Sequence, residues 1–429
     1  MERTLQRLAV GLLVVATMTA GCQAPAADAG NDGLESPAPS ENETGDRLNS
    51  ESAPNVTVLN GSLELDPGKV FARVQRVSDT NVTAPAAVRV FGTSEEFYSS
   101  TPGGLGPNTL PRFWHVAGLE TESVNGSALE FRKNGYVTGT GAVTIYLGEN
   151  ATVADERLVL AHEFTHYVQL QTGRQTDLNG AVGGRTTDSA YVSRAIVEGG
   201  AVLTTDAYVR EYAPGEQLNS PWYDEIQATY PAGHVGQFQN GRYVHGHDYA
   251  ATRLDSPTAL PEVYENPPQT SEQLLHGLTP NEEPPTDLAV DTTTGDDWVA
   301  SGTDRMGEAF VRYALASDVG TERATRAAAG WGNDSLHIFR PVDGGTASYV
   351  WVLDWDDPAN ASEFEQTLRS ALDARGDSEG GVWSLSDADA AVTVAEVDGA
   401  TTAVVFGSES FVAGTTVTGT TDTVTIEAG

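Results

Sequence analysis

Cysteine is almost absent. Cys22 is the only one in 429 residues, so no intrachain disulfide can form and no cluster of thiols can hold a metal. Any metal site must therefore draw on His, Asp and Glu. Lysine is nearly as scarce, with only Lys69 and Lys133, and Lys plus Arg total 24 against 60 Asp plus Glu, a formal net charge of −36. Phosphate recognition needs a basic footprint, so this balance argues against nucleic acid as a partner. Long apolar runs are missing too. The one run, Leu8 to Ala20, is 13 residues, short of the about 20 that a helix needs to cross a bilayer core.

The acidity runs along the entire chain rather than sitting in one tail. Near molar salt the Debye length falls to about 3 Å, so self-repulsion costs little and hydrated carboxylates favour solubility. Salt adaptation is the reading that fits both the acid excess and the lysine scarcity. At the amino terminus, Arg3 and Arg7 precede the apolar run, which ends in Thr19-Ala20-Gly21-Cys22. Residues 1–21 read as a signal peptide of lipoprotein type, with Cys22 acylated after cleavage. That would tether the chain by a lipid to the extracellular face of the cell membrane. Residues 22–55 are Ala, Pro, Asp, Glu, Asn and Ser with almost no large apolar residue, a flexible acidic linker. Eight Asn-x-Ser/Thr sequons, at Asn42, Asn55, Asn60, Asn81, Asn125, Asn150, Asn333 and Asn360, are compatible with glycosylation outside the cell.

The patterning predicts an α+β fold in two units. Residues 56–340 form a mainly helical domain with a small preceding sheet, and 341–429 a small α+β unit. Val70, Phe71, Val74 and Val77 make a helical stripe, while Ala87 to Phe91 and Ala142 to Leu147 read as buried strands. Val153 to Thr172 reads as one helix, with Asp155 and Glu156 at its positive end and Gly173 free to terminate it. A Gly/Thr/Asn-rich excursion follows to Thr187, then a second helix from about Ser189 to Tyr212. From Gly215 to Asp297 the abundance of Pro, Gly and Tyr predicts short helices only. Helical patterning returns from Arg305 to Ala329. Ala347 to Trp355 reads as a strand, Ala361 to Arg375 as a helix facing inward through Phe364, Leu368 and Leu372, and Ala390 to Phe406 as a hairpin turning at Asp398-Gly399.

The chemistry sits in His162-Glu163-Phe164-Thr165-His166, an HExxH sequence in mid-helix. Histidines four apart lie about 40° apart around the axis and one turn along it, so both imidazoles can reach one zinc ion. Glu163 is displaced by about 100° from His162, which suits it to touch water rather than to ligate. Zinc lowers the pKa of water towards about 7, and a neighbouring carboxylate can take the proton as that water attacks a carbonyl. A catalytic zinc wants a third protein ligand. Glu198 offers one on the next long helix, beside Gly199 and Gly200, each of which costs about 1 kcal/mol of helix propensity relative to Ala. Such a cost suggests a packing or site requirement.

These segments resemble a family. Ala161 to Gln171, AHEFTHYVQLQ, is similar to the AHELTHALQDQ helix of a group of prokaryotic gluzincin-like HExxH zinc metallopeptidases, and AIVEGGA to their ALVEGDA segment. In the same order, Tyr243, Gly246 and Tyr249 fit a Tyr-x-x-Gly-x-x-aromatic pattern, PPQTSEQLLH resembles PPxSTEQVLH, and AGWGND resembles xGWGGD. The resemblance covers roughly residues 141–340. It departs at Leu170, Gly277 and Asn333, where the family has Asp, Pro and Gly. It implies a gluzincin-like core binding one zinc ion per chain through His162, His166 and Glu198, with Glu163 as base and a protein or peptide as substrate. Tyr243 and His276, both in family-like motifs, are the candidates for donating a hydrogen bond to the oxyanion. His245 and His247 would point about 160° apart on a helix and so suit one metal only if extended.

Two other readings stay open at this level. One is a non-catalytic envelope lipoprotein with a structural or lost metal site that binds a partner. The other keeps the zinc chemistry for a non-peptide amide or ester. The charge reading is tested by salt alone: the melting midpoint should climb steadily as KCl is raised from about 0.1 M to about 2 M. A flat or falling midpoint would contradict salt adaptation.

Overall fold

The computed structural model describes residues 53–92, 111–120, 132–183, 185–420 and 423–429. The expected signal segment, Cys22, nearly all of the linker and the sequons at Asn42 and Asn125 lie outside the described residues. Helices and strands mix in one α+β architecture, the class that the patterning predicts.

A small sheet comes first. Strands β1 (Thr57–Leu59), β2 (Ala87–Gly92), β3 (Lys133–Val137) and β4 (Val143–Leu147) are ordered β1-β2-β4-β3. The first two pairings, β1 with β2 and β2 with β4, are parallel, and β3 closes the row antiparallel as an edge strand. Helix α1 (Pro67–Val77) packs its Val70, Phe71, Val74 and Val77 stripe against this sheet. Asp66 caps it by accepting from the Gly68 and Lys69 amides, in the usual manner of a short acidic N-cap. Phe71 meets Phe164 edge-on, with ring centroids 5.3 Å apart.

The helical layer follows. Short helix α2 (Arg112–Ala117) precedes α3 (Val153–Gln171), α4 (Arg174–Val182), α5 (Thr187–Tyr212), α6 (Asn219–Thr229), α7 (Val235–Arg253), α8 (Leu260–Glu265) and α9 (Ser271–His276). Two expectations need correction here. The excursion after Gly173 contains α4, held by buried Leu178 and Val182, and the segment expected to hold short helices contains α7, with 19 residues. Glycines at 236, 241 and 246 erase the apolar signal of α7. Gly246 is there for contact: a Cβ on it would lie 1.8 Å from the Ala195 carbonyl oxygen, and one on Gly199 would lie 2.0 Å from the Gly246 carbonyl carbon. Helices α5 and α7 thus cross backbone to backbone.

Strands β6 (Trp298–Asp304), β7 (Trp331–Pro341), β8 (Ser348–Trp355), β9 (Asp377–Glu379), β10 (Val382–Leu385), β11 (Ala390–Glu396) and β12 (Thr401–Gly407) form an antiparallel sheet ordered β6-β7-β8-β12-β11-β10-β9. Helices α10 (Gly307–Val319), α11 (Thr321–Ala328) and α12 (Pro358–Arg375) share a core with one face, and α2 inserts Phe113 there among Phe310, Tyr349, Trp351 and Phe406. The other face is covered by α13 (Glu409–Gly414) and by a second sheet, β13 (Thr416–Thr420), β14 (Thr423–Ala428) and β5 (Ala289–Thr294). Strand β8 is buried along all eight residues, which is why it reads as an almost unbroken apolar run. The boundary expected at residue 341 falls inside this sheet, because β6 and β7 precede it and pair into it.

Helix α5 joins the two cores. Its Tyr191, Val192, Ala195 and Ile196 belong to the larger core, and its Tyr208 and Val209 to the smaller one under β1–β4. Glu198 lies on this shared helix, and Leu203 beyond it also enters the larger core. The crossing at Gly246 yields a paired prediction. Gly246→Ala should lower stability in urea by about 1–3 kcal/mol, the usual cost of overpacking. Gly180→Ala, in an exposed turn of α4 with nothing within 4 Å, should raise it by up to about 1 kcal/mol. Equal stabilities for parent and Gly246→Ala would contradict the close crossing.

Candidate metal centre

Helix α3 is fixed at its start before it presents anything. Thr152 and Asp155 form a reciprocal capping box. Asp155 also receives Arg132 Nη2 at 2.7 Å and Lys133 Nζ at 3.3 Å from the start of β3, and Glu156 accepts from the Glu64 and Leu65 amides. The helix is thereby tied to the small sheet at the end facing β3. One turn apart further along, His162 and His166 point the same way, with ring planes at 83°.

Three atoms then converge. His162 Nε2 and His166 Nε2 are 3.0 Å apart, His166 Nε2 is 3.0 Å from Glu198 Oε2, and His162 Nε2 is 3.4 Å from the same oxygen. A tetrahedral ion with bonds of about 2.0–2.1 Å sets its ligands about 3.3 Å apart. The triangle has that size. All three residues are buried, and they form a group able to hold a metal ion.

The ring tautomers follow from the neighbours. Gln169 Nε2 donates to the Val197 carbonyl and to the Tyr264 hydroxyl, which turns its Oε1 toward His166 Nδ1, 2.7 Å away. Nδ1 of His166 is therefore the N–H, and Nε2 carries a lone pair. His162 Nδ1 stands 3.0 Å from Asn219 Oδ1, which selects the same tautomer. Two imidazole lone pairs and a carboxylate oxygen thus face one point, an arrangement that a cation relieves. Asn219 is itself held from α5, since Asp206 accepts from the Asn219 and Ser220 amides and from the Ser220 hydroxyl. Gly200 leaves room for the other support: a Cβ there would come within 2.7 Å of the Tyr264 hydroxyl.

Electrostatics match the geometry. Burial lowers the pKa of His162, keeping it neutral. Burial alone would raise that of Glu198, but the two imidazoles outweigh it and hold the carboxyl well below its ordinary value. Glu163 is pushed up to about 8, chiefly by burial, partly offset by His166 and reinforced by Glu198. Its Oε2 is buried without a hydrogen-bond partner among the described residues. Such an orphan is costly and calls for an explanation. Edge strand β3 passes directly over it, where a Cβ on Gly135 would fall 2.5–2.7 Å from Glu163 Cγ, Oε1 and Cδ.

Of the two expected oxyanion donors, only one reaches the centre. The Tyr243 ring lies 6.1 Å from that of His162. His276 is engaged elsewhere, its Nε2 3.0 and 3.2 Å from the two oxygens of buried Glu308 and 3.1 Å from Arg312 Nη2. Trp331 and Asp334, both inside the family-like AGWGND segment, are bonded to each other, and Asp334 caps α10 through the Met306 and Gly307 amides. His245 and His247 do sit on a helix and part as that geometry requires, to Tyr313 and to Asp206 and Asp248. Sequence reasoning missed Gln169, Asn219 and Tyr264. Only Gln169 carried a signal, being on the motif helix three residues after His166.

Removing either support should weaken the binding of an added metal ion without unfolding the chain. Gln169→Leu and Asn219→Leu are each expected to weaken zinc affinity by about 10–100-fold, the usual effect of deleting an outer partner of a ligating imidazole. Competition against a chromophoric chelator measures it, and unchanged affinity in both would show that these amides do not orient the rings.

Among known families, residues 296–416 match a domain of unknown function, DUF8575. The matched stretch takes in β6 to β12 and helices α10 to α13, and contains none of the three converging residues. No curated protein and no solved structure matches the chain.

Proposed function

We propose that this chain is a zinc-dependent peptidase, held to the extracellular face of the membrane by a lipid on Cys22. The observation that supports it most is the pairing of three converging lone pairs with a buried, unpartnered Glu163 carboxylate oxygen one residue along the same helix. A structural metal site has no use for that oxygen. Zinc, when bound by His162, His166 and Glu198, supplies the Lewis acidity that acidifies water and polarises a carbonyl.

Glu163 then handles the proton. Its carboxylate accepts one from the attacking water as the C–O bond forms, and returns it to the leaving nitrogen as the C–N bond breaks. Burial pushes the pKa of that carboxyl up, and Gly135, lacking a Cβ, yields the volume the carboxyl occupies. The substrate class is read from β3, the edge strand of its sheet. An extended peptide can pair with such an edge through main-chain hydrogen bonds, which would lay its backbone across Glu163. The anchor rests on the leader ending in Cys22. Among the described residues no helix is long and apolar enough to cross a membrane.

The test is Glu163→Gln in the full chain, assayed at high salt on heat-denatured casein with zinc content measured in parallel. Glu163→Gln should keep about one zinc per chain and lose about 10²–10⁴-fold in rate, as for removal of a general base. Zinc bound by a parent that cleaves nothing would end the peptidase reading in favour of a structural site or a narrow non-peptide substrate.

A further inference from the structure

Hydrolysis at this centre leaves one role unfilled, the donor that meets the oxyanion. Attack by water on a carbonyl carbon moves the π pair onto the carbonyl oxygen. A preorganised hydrogen-bond donor aimed there is worth more than most other single groups, because it interacts with charge that exists only in the transition state. His276 is committed to Glu308. The donor must come from groups that border His162.

Helix α6 supplies one. Its first turn places Asn219 on His162 Nδ1, and one turn later Tyr223 comes beside the same imidazole, with ring centroids 5.9 Å apart. Residues four apart share a helix face, so the contact that orients His162 also delivers this ring. Tyr243 from α7 lies parallel to it at 4.2 Å and 15°, and Trp222 closes edge-on at 4.8 Å. The Tyr223 carbonyl accepts from Asn240 Nδ2, which fixes the backbone that carries it. Its hydroxyl makes no hydrogen bond to a described residue. A tyrosine hydroxyl is protonated at neutral pH and can donate. A phenol O–H beside a ligand-candidate imidazole, with no hydrogen bond to a described residue, is free to donate.

We propose that Tyr223 is the catalytic donor to the oxyanion, and that Tyr243 is the plate that holds its ring in place. This inference rests on the hydrolytic reading of the centre. The Tyr223 hydroxyl keeps its proton throughout. It shares that proton with the carbonyl oxygen while the carbon is tetrahedral, and releases it when the electron pair returns and the C–N bond breaks.

The experiment compares the zinc-loaded full chain with Tyr223→Phe, Tyr243→Phe and Tyr223→His. It uses two readouts, casein hydrolysis and calorimetric binding of an Ala-Ala phosphinate dipeptide as a tetrahedral oxyanion probe. Tyr223→Phe should retain one zinc, lose about 10²–10³-fold in kcat with KM within about twofold, and bind the phosphinate about 10–100-fold more weakly. Tyr243→Phe keeps its ring and should lose less than Tyr223→Phe in both readouts. Tyr223→His restores a donor and should recover about tenfold over Tyr223→Phe.

Parent-like kcat and phosphinate affinity in Tyr223→Phe would overturn the inference and leave the peptidase reading intact. Loss of zinc in Tyr223→Phe would also overturn it, by making the ring a support for His162 instead. A parent that cleaves no casein but binds the phosphinate in a Tyr223-dependent way would keep the donor and remove the peptidase reading. A parent that does neither would remove both.

Discussion

Two neutral imidazole lone pairs and a carboxylate oxygen directed at one buried point repel each other, and a cation at that point turns the repulsion into binding. The surrounding structure maintains this arrangement against its own electrostatics. His166 is locked by Gln169, whose amide is oriented by Val197 and Tyr264, and His162 by Asn219, whose backbone is held by Asp206. Each ring is thereby committed to offering Nε2. A chain without such a requirement would pair those groups with donors.

The scaffold is shaped to the same end. Glu198 lies on α5, the helix that contributes side chains to both the larger and the smaller core, so its position is set by both. Gly199 brings α5 onto α7, and Gly200 leaves space for the Tyr264 hydroxyl that orients Gln169. Two residues that weaken a helix in isolation are thus explained by what they permit. On the sheet side, Asp155 ties the start of α3 to Arg132 and Lys133 of the β3 end, and Gly135 yields the volume that Glu163 occupies. The centre is assembled from a strand edge and three helices, with no ligand on a loop.

Much of this was legible in the sequence, for reasons specific to each element. The HExxH spacing, the capped start of α3 and the glycines beside Glu198 are local features, and local features survive in one dimension. Strand β8 and the β11–β12 hairpin were legible because full burial and an Asp-Gly turn leave plain signatures. Helix α7 was not, because its glycines answer to a neighbouring helix rather than to helix propensity. Strand β7 was obscured by Asp334, a buried carboxylate satisfied by two backbone amides and two indoles. Asn219 was beyond reach for another reason: its partner lies 57 residues away, and a single amide in a Pro- and Tyr-rich stretch has no pattern to betray it. Tyr223 shares that fate, while Tyr243 was found only because it belongs to a motif.

The central claim is that these three side chains bind a metal through Nε2, Nε2 and a carboxylate oxygen. X-ray absorption at the zinc K edge, on the full chain isolated with its own metal, tests it most directly. The account predicts one zinc per chain, light-atom ligands at about 2.0–2.1 Å, and the outer-shell scattering of two imidazole rings. A folded chain with no stoichiometric metal, or a zinc spectrum without imidazole scattering, would contradict it.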